Sequence, residues 1–341
     1  MPWAEEKKVP QTVRIVSLLL LATLSGVALA QSNSGLTTVN TIPIIDRKST
    51  LNPPSAPSNL TAHDNGIQYH GGPVLSTAQG VNVYFIWYGN WSSPSDRAAQ
   101  SIVTDFIKNL GGSPYFNINT TYYDSGAGGL DPVRNRVNYI GSTTDNYSHG
   151  TALVDQDLPG IIEQPIASGT FPLDQNGAYF VITSADVDET SGFCTTYCAF
   201  HGVDVLTPFS SARSGVRSPS SVNLPVAFVG NPDRCPAACT WQDELPTPNN
   251  NVAGDGMVNM IAHELSETVS DPRGTAWYSL TQRPKYQENG DLCLWTFGQT
   301  TNLPNGSFYN VTLGDRNYLL QRIWVNALGG YCSLSWVNGA N

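Results

Sequence analysis

Val81-Asn-Val-Tyr-Phe-Ile-Trp-Tyr88 is an almost unbroken apolar run flanked by Gly80 and Gly89. A half-exposed strand alternates apolar and polar residues, so this run fits a strand buried on both faces. Helix signals follow at once. Ser93 reads as a cap and Pro94 as the first turn. Ala98, Ala99, Ile102, Val103, Phe106, Ile107 and Leu110 then form one stripe, and Gly111-Gly112 stops it. Further strands are predicted at residues 135–140, 178–183 and 225–229, with a weaker helix at 158–167 that Pro159 and Pro165 crowd. The expected fold class is α+β: a single domain over residues 66–341 with a mixed, mostly buried sheet.

The amino terminus reads as an export leader. Lys7, Lys8 and Arg14 precede the apolar run from Ile15 to Val27, and Ala28-Leu29-Ala30 offers small residues for cleavage. Residues 1–30 are therefore predicted to be a signal peptide, and the run is too short for a comfortable membrane span. Residues 31–65, rich in Ser, Thr, Asn and Pro, lack apolar periodicity and are expected to be a flexible lead-in. The whole chain carries 17 Lys+Arg against 27 Asp+Glu; the leader takes three basic and two acidic residues with it, leaving −11. Nucleic acid and anionic membrane both need basic surface, so neither is expected as a partner. A secreted, extracellular protein is the expectation, with an extracellular polymer or protein as its partner.

All six cysteines lie beyond the leader: Cys194, Cys198, Cys235, Cys239, Cys293 and Cys332. An even count in an exported chain favours disulfides, with 15 possible connectivities. The Cys-x3-Cys spacings invite local bridges, 194 to 198 and 235 to 239, leaving Cys293 for Cys332. A rival reading makes Cys194, Cys198 and His201 a zinc site.

The chemistry concentrates in Asp255 to Pro272. Met257, Val258, Ile261, Ala262, Leu265 and Val269 recur at helical spacing, and the opposite side carries Asn259, His263, Ser266, Glu267 and Ser270. His263 and Glu267, four residues apart, project from one face of this zincin-like His-Glu-x-x-Glu helix and offer two ligands to a divalent metal such as zinc. Glu264 stands where zinc hydrolases place a water-activating carboxylate. The usual signature ends in His rather than Glu. A solvated face with an ordinary i,i+4 pair is the bland alternative, but the face has no Lys or Arg, which suits a cleft better. A catalytic zinc needs a third protein ligand, and Glu288, 21 residues after Glu267, has a suitable spacing. Asp291 could hold a ligand in place; Asp271 is expected to cap or orient a neighbour. His201 could steady an oxyanion or become a ligand, though for it and His149 a hydrogen-bonded loop position is the simpler expectation. Glu264 would take the proton of the activated water. Two carboxylate ligands would make the metal less electrophilic, which leaves a structural ion or a degenerate enzyme open.

Several segments together resemble the plant EXORDIUM / phosphate-induced protein 1 family. They are Gly71-Gly-Pro-Val-Leu75, Val83 to Trp91, Tyr147-Ser-His-Gly150, Phe193 to His201, Val229-Gly-Asn-Pro-Asp-Arg-Cys-Pro236, Ile261 to Glu267 with Asp255-Gly-Met257, and Asp291-Leu-Cys293. The resemblance spans about Tyr69 to Cys332. It implies export to the cell wall or apoplast and a link to growth and cell expansion, without a settled activity. The Ser-Asp-Pro after the helix and the Asn-rich carboxyl end depart from the family pattern. The competing class is a non-enzymatic binder, for which Trp87, Tyr88 and Trp91 would stack on sugar rings, Trp87 also fitting a core.

Overall fold

A computed structural model describes residues 35–43, 65–126, 129–206, 221–280 and 287–337. The predicted leader lies outside these residues. Six strands make the main sheet: β1 Gly35–Pro43, β2 Val81–Tyr88, β3 Val137–Asp145, β4 Gly177–Thr183, β5 Tyr197–Leu206 and β6 Val222–Val229. Their order across the sheet is β1-β5-β6-β4-β2-β3. β6, β4, β2 and β3 run parallel, β5 opposes β6, and β1 opposes β5. The sheet is thus mixed, and the parallel half is the part that reads as continuous apolar runs. β4 is buried at all seven positions and β2 at all but Asn82.

The helices are α1 Pro94–Leu110, α2 Leu158–Ala167, the single turn α3 Pro236–Cys239 and α4 Val252–Ser270. α1 starts as its sequence predicts: Asp96 N–H donates to Ser93 Oγ at 3.1 Å and Ser93 N–H donates to Asp96 Oδ2 at 3.0 Å, a closed capping box. Its buried stripe matches the prediction except for Ala98, which is exposed. α1 and α4 pack together, and Gly254 makes the close approach possible. A Cβ there would lie 3.1 Å from Ala99 Cα and 2.9 Å from the Ile102 methyl. α4 also covers β5, β6 and β1, whereas α2 lies by β4 and β1.

The two faces of β5 show which helix covers which side. His201 reaches residues of α4, and Asp204, three positions on and so on the opposite face, feels the charge of Glu163 from α2. Asp204 is fully buried and neither of its oxygens has a hydrogen-bond partner. Burial first, and Glu163 second, push its carboxyl up to about 7. A carboxyl raised on folding favours the protonated folded state, so its contribution is intact below the unfolded carboxylate range and is lost as pH rises through about 7. Asp204→Asn is therefore expected to raise the melting temperature at pH 8 and leave it nearly unchanged at pH 4, as read by thermal melts across that range. An equal shift at both pH values would remove the charge from this account.

Three expectations are corrected here. The stretch read as a flexible lead-in contains β1. An edge strand is seated by its backbone pairing, here with Ile42 also buried, so the missing apolar periodicity was no bar. Trp87, Tyr88 and Trp91 are all buried, Trp87 and Trp91 packing edge to face at 4.8 Å, so no sugar-stacking surface exists there. The disulfides are Cys194–Cys235, Cys198–Cys239 and Cys293–Cys332. The third is as expected, but the other two cross between the Cys-x3-Cys pairs. Cys235 precedes α3 as its cap and Cys239 ends it, the Cys239 N–H donating to the Cys235 carbonyl at 3.1 Å, so the two lie one turn apart and each bonds a cysteine of the other pair. The zinc reading for Cys194, Cys198 and His201 falls with this pairing.

Candidate metal centre

α4 begins at Asn251, whose side chain accepts the Gly254 N–H at 2.7 Å. Seventeen of its 19 residues are buried, so the polar side, expected to line a cleft, is sealed instead. Its hydroxyls are accommodated by back-bonding. Ser266, Thr268 and Ser270 donate to the carbonyls of Ala262, Glu264 and Ser266 at 2.8, 2.6 and 3.0 Å. Asp271 closes the helix as anticipated, its Oδ1 accepting the N–H groups of Thr275 and Ala276 at 2.6 and 2.8 Å.

His263, Glu264 and Glu267 from this helix meet His201 from β5 and Glu288 and Asp291 from the segment after residue 287. Five of the six are wholly inaccessible, and Asp291 is 8% exposed. Glu267 stands at the middle. Its Oε1 lies 2.9 Å from His263 Nε2 and its Oε2 lies 3.5 Å from His201 Nε2. His201 Nε2 is also 2.9 Å from Glu288 Oε2, and His263 Nε2 is 3.7 Å from Asp291 Oδ1. Two ligand trios result, His201-Glu267-Glu288 and His263-Glu267-Asp291, each with its donor atoms within 4.8 Å of one another. The geometry allows this density because residue 290 is glycine: a Cβ there would sit 2.8 Å from both Glu267 Oε1 and His263 Nδ1.

Surrounding groups hold the cluster rigidly. Asp291 N–H donates to Glu267 Oε1 at 3.2 Å, and Asp291 Oδ2 accepts the Glu288 N–H at 3.0 Å. Gln321 Nε2 contacts His263 Nδ1 and donates to Gly290 O, both at 2.9 Å, while its own N–H donates to Asn259 Oδ1 at 2.7 Å. An amide nitrogen against Nδ1 places the imidazole proton on Nε2. Gly290 O, which accepts from Gln321 Nε2, and Trp295 N–H, which donates to Gln321 Oε1, both hold the Gln321 amide in this orientation; the tautomer that ligates through His263 Nε2 would need it turned by 180°, at the loss of both bonds.

Electrostatics set the protonation. Burial, then Glu267 and Asp291, drives the Glu264 carboxyl well above the usual range. Burial, then Glu267, Asp271, Asp291 and Glu264, does the same to Glu288. Burial lowers His263 and takes His201 down to about 3, so both imidazoles are neutral. The cluster is rich in carboxylates whose charge is unfavourable without a compensating proton or cation.

Of the residues picked out by sequence, the structure brings together His263, Glu264, Glu267 and Glu288, with Asp291 at hand. His149 stays on its turn, Nδ1 3.2 Å from Asp157 Oδ1. His201 is the residue that a loop assignment would miss. The available signal was Tyr197-Cys-Ala-Phe-His-Gly-Val-Asp-Val-Leu206, a strand-forming run with a histidine in its middle.

Residues 67–333 match the family model for the phosphate-induced protein 1 conserved region. Protein EXORDIUM-like 5 of Arabidopsis thaliana is 32% identical over 293 residues, covering 76% of this chain and 75% of the relative. EXORDIUM-like 3 of the same plant is 29% identical, covering 78% and 82%. Protein PHOSPHATE-INDUCED 1 of Nicotiana tabacum is 28% identical, covering 62% and 67%. No solved structure matches the chain. No helix among the described residues is long and apolar enough to cross a membrane. With its segments from Gly71 to Cys293 in place and the matched region containing every residue of the cluster, the chain belongs to the EXORDIUM / phosphate-induced protein 1 family.

Proposed function

We propose that this is an exported protein whose buried centre holds a divalent ion, of which zinc is the best fit, on His201, His263, Glu267 and Glu288, for metal-assisted hydrolysis. The donor set carries the reading. Two trios that share Glu267 each bring one imidazole nitrogen and two carboxylate oxygens within 4.8 Å of one another, and several atoms of these residues have no hydrogen-bond partner. His263 Nε2 lies 2.9 Å from Glu267 yet lacks hydrogen-bond alignment, and Glu288 Oε1 is likewise unsatisfied. Such crowding suits atoms arranged round a common cation. A bound zinc would supply an acidified water. The leader, the three disulfides and the plant relatives support a location outside the cell, where the family resemblance points to the growing wall.

Glu264 is the residue left for proton transfer. Both its oxygens are buried without a hydrogen-bond partner, and it is absent from both ligand trios. Burial favours its protonated form, so a neighbouring cation would be needed to leave it as the carboxylate that takes a proton from water and passes it to a leaving group. Glu264→Gln should keep the ion, read by elemental analysis and by the visible spectrum of the cobalt-substituted protein. It should also lower any hydrolysis found by at least about 100-fold. Loss of the ion in this variant would make Glu264 a ligand and overturn its assignment as the base.

A further inference from the structure

The centre is closed to solvent, and part of what closes it is β1. This strand pairs with β5 from Gly35↔Val205 to Pro43↔Tyr197, which sets Asn40 opposite His201. It comes close: a Cβ on Gly202, next to His201, would meet Thr37 O at 2.6 Å. Ile42 is fully buried and its backbone N–H faces the Glu264 carboxyl, outside formed hydrogen-bond geometry. The Pro43 carbonyl accepts Trp295 Nε1 at 3.1 Å. Irregularities in register fall between Thr38 and Asn40 and between Ile42 and Pro43, on either side of the part that faces the centre. β1 is therefore a nine-residue, uncharged edge strand, paired along its length with β5 and crossing the residue assigned to proton transfer.

Lifting β1 would open two things together: the free backbone edge of β5 and the side of the centre where Glu264 lies. A free edge beside a hydrolytic site is a rail for an extended chain, since main-chain hydrogen bonds supply affinity whatever the sequence. We propose that the substrate class is polypeptide in extended form, laid antiparallel on β5, and that residues 35–43 are a resident mimic which must leave before it binds. The chemistry of this proposal rests on the metal-hydrolase reading; the rail itself does not. In the reaction, water oxygen bonds to the peptide carbonyl carbon and the C–N bond breaks. Glu264 carries the water proton to the departing amine nitrogen, so no further reactant is needed.

The test uses the full chain and a fluorescein-labelled peptide of residues 35–43, Gly-Leu-Thr-Thr-Val-Asn-Thr-Ile-Pro. Ile42→Asp places a charge where a buried apolar side chain seats the strand, which should expel β1. Anisotropy should show the peptide binding this variant at least about tenfold more tightly than wild type, with the same peptide N-methylated at alternate backbone amides failing to bind. Amides of residues 197–206 should exchange faster in the variant and be protected again by the peptide. If Ile42→Asp does not fold, Ile42→Ala gives the same readings at reduced amplitude. A folded variant that gains no peptide binding, or whose β5 amides stay protected, overturns the proposal. Each measurement is made zinc-loaded and after chelation. Peptide binding by a protein that takes up no ion even in the zinc-loaded arm would leave the rail standing and sink the metal reading; ion uptake without peptide binding would do the reverse.

Discussion

His263→Ala should take the purified protein from about one equivalent of divalent ion to less than a tenth, and His201→Ala should do the same. The centre has only two nitrogen donors, one on α4 and one on β5, and each lies 2.9 Å from a carboxylate of the set. Removing either leaves one imidazole among carboxylates, a set that binds transition metals poorly. The His201 variant is the sharper experiment. A ligand set of His263, Glu267 and Glu288 would survive it, whereas the proposed set that includes His201 would not. Bound ion also stabilises the fold by mass action, about 4 kcal/mol at a thousandfold excess over the dissociation constant, so chelation should lower the melting temperature of wild type and of neither variant. Acid should release the ion, because His201, His263 and the carboxylates must be unprotonated to ligate. A wild type that carries no ion after expression with zinc, and whose melting is indifferent to chelator, would reduce the cluster to a buried polar network.

Loss of both Cys194–Cys235 and Cys198–Cys239 is expected to cost about 4 kcal/mol, roughly a thousandfold in the folding equilibrium. Loss of either alone should cost much less. Each bridge spans 41 residues, and the two spans are offset by only four, so the second closes a loop that the first has already shortened. That loop contains β5 and β6, and the bridges clamp the open end of their antiparallel pair. Denaturant titration of the two single-pair variants and the double-pair variant measures the coupling directly. Additive costs would show that the bridges act independently and that the shared-loop account is mistaken. Because Cys198 precedes His201 by three residues on β5, the double-pair variant should also bind zinc more weakly.

Legibility in the sequence followed how local each signal was. The runs of β2 and β4, the cap of α1 and the stripe of α4 depend on neighbours a few residues away, and all were readable. Glu288 was readable because its spacing from Glu267 resembles a known ligand pattern. His201 was named only as an alternative to a loop position, because what brings it to Glu267 is the pairing of β5 with β6 and the packing of α4 on both, which no local pattern encodes. The crossed disulfides escaped for the same reason: spacing shows which thiols lie close along the chain, but not which way they face. The polar side of α4 was read as a cleft because it carries no Lys or Arg yet is lined with polar groups. Back-bonding to the preceding turn lets them be buried, and a hydroxyl leaves no mark of that choice in the sequence.

The place of β1 has a consequence in time. Asn40 lies opposite His201, 161 positions further along the chain. Residues 35–43 are thus made before their partner and must wait unpaired while the 161 positions up to His201 are added, a long-range closure of the kind that forms late in folding. Through that interval the outer edge of β5, once formed, is also open. Any ion destined for the centre has its easiest entry then, and the docking of the oldest strand ends that interval by covering the newest site.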